Sequence, residues 1–176
     1  MGLQRLWFEW GCPERLRSVL IDRVEPVGPD EADLTGAHAV LAGSRVWDQE
    51  AIEWVQDNVL GSPVILEAHL SQYRWGARFA NYTGLPTVIG WPWHQIQQRT
   101  AYSFAITDRA RDVREMYETT DDQRALELLR QYRVKYVVVG DLERINYVGD
   151  GLNKFETLGR KVFENRGTAI YEARWN

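Results

Sequence analysis

Cysteine is nearly absent from this chain: Cys12 is the single thiol among 176 residues. That excludes an internal disulfide and a cysteine-based zinc site. Long apolar runs are absent too, and none approaches the roughly 20 residues of a membrane-spanning helix. The opening M-G-L-Q-R-L-W-F-E-W-G-C-P is interrupted by Gln4, Arg5 and Glu9, so it lacks the apolar centre of a signal peptide. Read in isolation, the chain is soluble. Positive charge is in deficit, with 21 Lys and Arg against 25 Asp and Glu and a net charge of −4. A nucleic-acid partner is disfavoured, because phosphate neutralisation needs a surplus of cations. Arg109, Arg111 and Arg114 alternate with Asp108, Asp112 and Glu115 and read as a solvated face.

The common chemical motifs are missing as well. There is no G-x-G-x-x-G, P-loop or G-x-S-x-G, and Gly140 follows its strand alone, so no dinucleotide or other cofactor is expected. The three histidines, His38, His69 and His94, show neither H-x-x-x-H nor H-E-x-x-H spacing, and no metal is expected. Asn81-Tyr82-Thr83 matches a glycosylation acceptor, a pattern too short to weigh alone.

What is present is an ordinary soluble composition, 44% apolar and 26% charged, with an unusual eight tryptophans. Residues 1–45 read as an irregular amino-terminal segment broken by Pro13, Pro26 and Pro29, and 46–176 as a single α/β domain. The stretch L-R-S-V-L-I-D-R-V-E within the first part fits a strand or a short helix. The spacing of Ala51, Ile52, Val55 and Val59 predicts a helix over 48–59, with Asp48 as its N-cap. Further helices are predicted over 71–81, 107–118, 121–132 and 151–158, and strands over 63–67, 86–90, 134–140, 160–165 and 168–173. Arg166-Gly167 would turn the final hairpin. Alternating helix and strand implies a three-layer α/β fold, with a mainly parallel sheet, helices on both faces and an antiparallel carboxyl-terminal hairpin at the edge.

In such sheets ligands settle beyond the carboxyl ends of the strands. Three predicted strands end in polar and aromatic groups: Glu67 and His69; Trp91, Trp93, His94, Gln95 and Arg99; and Asp141, Glu143, Arg144 and Tyr147. Trp91 and Trp93 flank Pro92 directly after Gly90, and aromatic rings beside amide and guanidinium donors suit a polar-ligand pocket. The alternative is a tight turn whose tryptophans fill the core. Glu67, His94 and Asp141 would together suit acid–base or metal chemistry. Solvated loop carboxylates, or salt bridges to Arg78 and Arg144, are the favoured reading of Glu67 and Asp141.

Several segments in combination, L-E-A-x-x-x-x-Y (66–73), T-G-L-P-T-V-I-G-W-P-W-H-Q-x-x-x-R (83–99), R-E-M-Y (114–117), Y-V-V-V-G-D-L-E-R-x-x-Y (136–147) and K-F (154–155), resemble the carboxyl-terminal region of the YYY multispanning membrane proteins. The membrane part of that family resembles glycosyltransferases that use lipid-linked sugars. The resemblance implies an extracytoplasmic domain that recognises an acceptor or sugar, or gives structural support, while catalysis belongs to membrane loops. Its implied partners are a glycan or polyprenyl-phosphate-linked sugar and the transmembrane part of the same protein. Carried over by position, the motif residues are Glu67, Tyr73, Trp91, His94, Gln95, Arg99, Glu143, Arg144 and Tyr147. Gln95 stands where the family pattern carries an acid, which removes a charge there. The other readings are a structural or protein-interaction module and a small enzyme built on Glu67, His94 and Asp141.

Overall fold

The computed structural model describes residues 35–70 and 74–174, with side chains from residue 45 onward. The unit from Ala37 to Asn176 is compact. Its first element is helix α1 (Thr35–Asn58), which runs unbroken past residues 45 and 46. Asp48 therefore lies inside a helix rather than at its N-cap, and its side chain is committed to tertiary bonds described below. Tyr73 and the undecided segment 16–25 lie outside the described residues.

Four strands form the sheet, in the order β1-β2-β4-β3: β1 (Val64–Leu66), β2 (Val134–Val139), β3 (Gly159–Glu164) and β4 (Ala169–Ala173). β1 and β2 are parallel, with Leu66 opposite Val137, whereas β4 runs antiparallel to both β2 and β3. The α/β class and the terminal hairpin are as expected, and the sheet as a whole is mixed. The predicted strand 86–90 is reduced to one parallel bridge between Ile65 and Thr87. Pro86 has no N–H to extend a ladder and contributes only its carbonyl, which accepts from Ile65 N at 2.9 Å. Asn165 builds the hairpin turn: its Oδ1 accepts from the backbone N–H of Gly167 and Thr168 at 3.1 and 2.8 Å.

Strand alternation divides the core between two faces. On one, Ile65, Val138 and Ile170 pack under Ala51, Ile52 and Val55 of α1. On the other, Leu66, Val137 and Tyr171 meet two helices, α4 (Ser103–Glu118) through Val113, Met116 and Tyr117, and α5 (Asp122–Gln131) through Leu128 and Leu129. These are the three expected layers. Asp121 caps α5, accepting from the N–H groups of Gln123 and Arg124.

Between β1 and α4 lie two short helices, α2 (Arg78–Thr83) and α3 (Pro92–Gln98). The helix predicted over 71–81 is not what residues 74–77 adopt. Ala77 takes a left-handed φ of 59° and α2 begins only at Arg78. Gly76 explains the turn, since a Cβ there would lie 2.7 Å from Leu70 N. Pro92 opens α3 at a position where a missing N–H leaves no hydrogen bond unmade. After β2 come α6 (Asp141–Asn146) and a 3-10 turn (Asp150–Lys154) leading into α7 (Phe155–Leu158). Lys154 Nζ donates to the carbonyls of Tyr117, Thr119 and Gly151, which ties that turn to the end of α4.

Candidate functional site

The carboxyl ends of β1 and β2 lie side by side, and two arrangements of polar groups stand beyond them. The first is closed. Arg78 is fully buried and its guanidinium bridges two carboxylates. Nε and Nη2 donate to Asp48 at 2.5 and 3.1 Å, and Nη1 and Nη2 donate to Glu143 at 3.0 and 2.9 Å. The carboxylates are also held by neutral donors. Trp75 Nε1 and Thr168 Oγ1 donate to Asp48, at 3.0 and 2.9 Å. The backbone N–H groups of Ala68 and Gly140 donate to Glu143, at 2.7 and 2.8 Å. Burial works against ionisation of Glu143, but Arg78 and these amides hold its carboxyl below the usual range.

Glu67 stands beside this network. Its oxygens accept from Phe79 N and Ala80 N at 2.8 and 2.9 Å, at the start of α2. Burial pushes its carboxyl up from 4.5 to about 7, against the pull of Arg78. Three buried acids thus surround one cation, and the least compensated of them takes up a proton near neutrality. Gly140 makes the closure possible. A Cβ there would stand 3.0 Å from Arg78 Nη2 and 3.1 Å from both Glu143 Oε2 and Thr168 Oγ1.

The second arrangement is open: a shallow cleft of about 360 Å³ lined by His69, Trp93, Arg114, Asn146 and Tyr147. Trp93 is 54% exposed on α3. Tyr147, only 2% exposed, stacks on Tyr117 with ring centroids 4.5 Å apart and planes 13° apart. The Tyr147 hydroxyl is buried without a hydrogen-bond partner in the protein. Burial raises that phenol well above its ordinary value, opposed weakly by the backbone of His69. The His69 ring donates through Nε2 to Ala110 O at 3.0 Å, and burial lowers its pKa. The neutral ring therefore keeps Nδ1 as an acceptor. Arg114 pairs with Glu118 at 2.7 Å and lies 5.9 Å from the centroid of the Tyr147 ring.

Other residues singled out in the sequence lie elsewhere. Trp91 donates through Nε1 to Gly76 O at 3.2 Å and meets His94 edge to face. His94 pairs with Gln98 on α3 at 3.0 Å. Gln95 is half-buried on the same helix, and Arg99 is exposed at its end. Asp141 and Arg144 pair at 3.5 Å, and Arg144 also donates to Gly167 O at 2.6 Å. The polar bonds of Glu67 and His94 lead to separate groups, α2 amides and Gln98. Among the described residues, no group of three His, Cys, Asp or Glu is placed to hold a metal ion. Nor is any described helix long and apolar enough to cross a membrane.

The sequence marks Arg78 as a surface partner of Glu67, whereas its ion pairs are with the buried Asp48 and Glu143; Arg114 and Asn146 carry no mark as cleft residues. Asp48 resembles a cap locally, and the A-R-F sequence around Arg78 carries no sign that its cation is buried.

The fold and these two arrangements define an α/β domain with a saturated polar core and an open cleft beside it. No known family model matches the chain, and no curated protein matches it in sequence. Among solved structures, the fold is similar to the C-terminal globular domain of an oligosaccharyltransferase from Archaeoglobus fulgidus. The two are 12% identical, with 72% of this chain and 95% of that chain covered and a TM-score of 0.46. Likeness at that level carries no inference about function.

Proposed function

We propose that the chain is the extracytoplasmic globular domain of a glycosyltransferase-like membrane protein, acting in recognition of a sugar or acceptor rather than in bond making. The sequence motifs motivate the setting, and the observation that carries the role is the cleft. Trp93 offers an exposed indole over a hollow that His69, Arg114, Asn146 and Tyr147 also line. An aromatic face with a few uncommitted polar atoms is what a small polar ligand needs. The buried acids favour recognition over catalysis. Glu67 holds α2 amides and Glu143 holds Arg78, so neither carboxylate faces a reacting atom.

The test is a ligand-observed NMR screen of the purified chain against glycans, nucleotide sugars and polyprenyl-phosphate analogues, with Trp93→Ala as control. A hit lost in the variant supports the reading. Absence of any hit removes the recognition role.

One observation favours a second reading, a protein-interaction module docked on the membrane part of its own protein. Tyr102 and Phe104 are 67% and 83% exposed, within a stretch from 68 to 107 that holds no acidic residue. Phe104→Asp would then release the domain from a detergent-solubilised full-length protein after proteolytic nicking. Retention of the nicked variant domain, as in the parent, would count against docking through this segment.

A further inference from the structure

We propose that the lip formed by the end of α3, the 3-10 turn Thr100–Tyr102 and the start of α4 is a bilayer contact, which seats Tyr102 and Phe104 at the acyl boundary and Arg99 among anionic headgroup phosphates. This contact requires neither a ligand in the cleft nor a protein partner, so it goes beyond both readings above.

The lip buries almost nothing in its own fold. Neither α3 nor the 3-10 turn holds a buried side chain, and every residue from 97 to 105 except Ser103 is exposed. Its backbone is nonetheless ordered as helix: Arg99 N donates to Gln95 O at 2.9 Å and Tyr102 N to Arg99 O at 2.8 Å. Two large rings, Tyr102 and Phe104, are therefore held out in water by a fixed backbone. Exposed apolar groups of that size, gathered on one segment, mark a contact surface.

Charge selects the occupant. The chain carries 25 acids against 21 Lys and Arg, yet no acid falls between residues 68 and 107. Asp108, the first acid beyond, pairs with Arg111 at 3.0 Å. Arg99 forms no ion pair among the described residues, so its guanidinium is open to an outside anion. A bilayer offers that anion and an apolar layer within one surface, with phosphates above and acyl chains a few ångströms below. Tyr and Arg suit such a gradient, since each joins an apolar body to a polar tip. Two rings and one cation make a weak, reversible contact, below the roughly 10⁴ M⁻¹ of a single myristoyl chain.

The experiment is residue-resolved NMR of the whole chain with vesicles of equal parts phosphatidylcholine and phosphatidylglycerol doped with a nitroxide-labelled lipid, which reads weak contacts as local line broadening. The variants are Phe104→Ala and Arg99→Gln, both exposed positions where the fold is kept, with Leu60→Ser on the loop between α1 and β1 as control. The expected result is broadening centred on residues 99–105, reduced roughly fivefold in each of the two variants and unchanged in the control. Replacing phosphatidylglycerol by more phosphatidylcholine should weaken the parent and leave Arg99→Gln nearly as it was. Absence of broadening at 99–105, or broadening centred elsewhere, overturns the proposal. So does broadening that neither variant reduces. Silent vesicles together with release of the nicked Phe104→Asp domain would assign the lip to a protein partner and likewise overturn it. None of these outcomes bears on the glycan screen, which reads the cleft.

Discussion

Glu143 lies in α6 and Tyr147 directly after its end, yet they serve regions of opposite character. Around Glu143 each carboxylate oxygen and each guanidinium nitrogen of the Asp48–Arg78–Glu143 network has a partner, and the three side chains are buried. Around Tyr147 the polar atoms are left over: a phenol without a partner, an imidazole nitrogen and an exposed indole. The same residue types, an arginine, acids and aromatics, occur in both regions. Saturation separates them. A fully bonded charge cluster ties together α1, α2, α6 and Thr168 ahead of β4, whereas a region with free donors and acceptors is able to meet a ligand. The first region supplies the rigidity from which the second presents its groups.

The comparison breaks most readily at Arg78. Arg78→Met leaves two buried carboxylates without their cation and should cost about 3–5 kcal/mol, read by urea denaturation. A loss below about 1 kcal/mol would mean that the network does not bind the helices together. Gly140→Ala pushes a methyl group against Arg78, Glu143 and Thr168 and should cost about 1–3 kcal/mol in the same measurement.

The pH dependence sharpens the comparison. The folded-state pKa of Glu67 lies near 7, above its unfolded value of 4.5, so the folded protein binds the extra proton between them. Its contribution to stability is complete below about 4.5 and is lost as pH rises toward 7, by up to about 3 kcal/mol. Glu143 has the opposite sign: its depressed pKa gives a contribution that is present above 4.5 and lost at lower pH. Glu67→Gln should flatten the limb between pH 4.5 and 7 and leave the acid limb intact. An unchanged upper limb would show that Glu67 does not carry that proton. The smallest effects belong to the cleft. Trp93→Ala and Tyr147→Phe should each alter stability by no more than about 0.5 kcal/mol, since one side chain is exposed and the other loses only an unpaired hydroxyl. A loss near 2 kcal/mol for Tyr147→Phe would place its hydroxyl among the structural groups.

Much of the framework is visible in residue order. The apolar spacing over the second half of α1, the β-branched run Val137–Val139 and the hairpin turn at Arg166-Gly167 are local effects, and each appears where its residues predict it. The strand expected at 86–90 is not built, because Pro86 has no N–H to extend a ladder; Val88 and Ile89 are buried, but only Thr87 is bridged to β1. The helix expected from 71 to 81 fails because Gly76 must approach Leu70 and Ala77 must turn left-handed before α2 can begin. The site was partly legible. Trp93 and Tyr147, marked by their place beyond strand ends, do line the cleft, while Arg114 and Asn146 bear no local sign of doing so.

By itself the sequence determined the α/β class, the helices whose apolar faces repeat at helical spacing, and the lack of paired thiols, because each depends on neighbours a few residues apart or on composition alone. Only the tertiary structure decided that Asp48, Arg78 and Glu143 form one closed cluster and that Tyr147 keeps a free hydroxyl. Whether a polar atom is saturated depends on partners 30 to 120 residues away in the chain, such as Arg78 and Thr168 for Asp48. The pairing of such groups is fixed by how the layers pack.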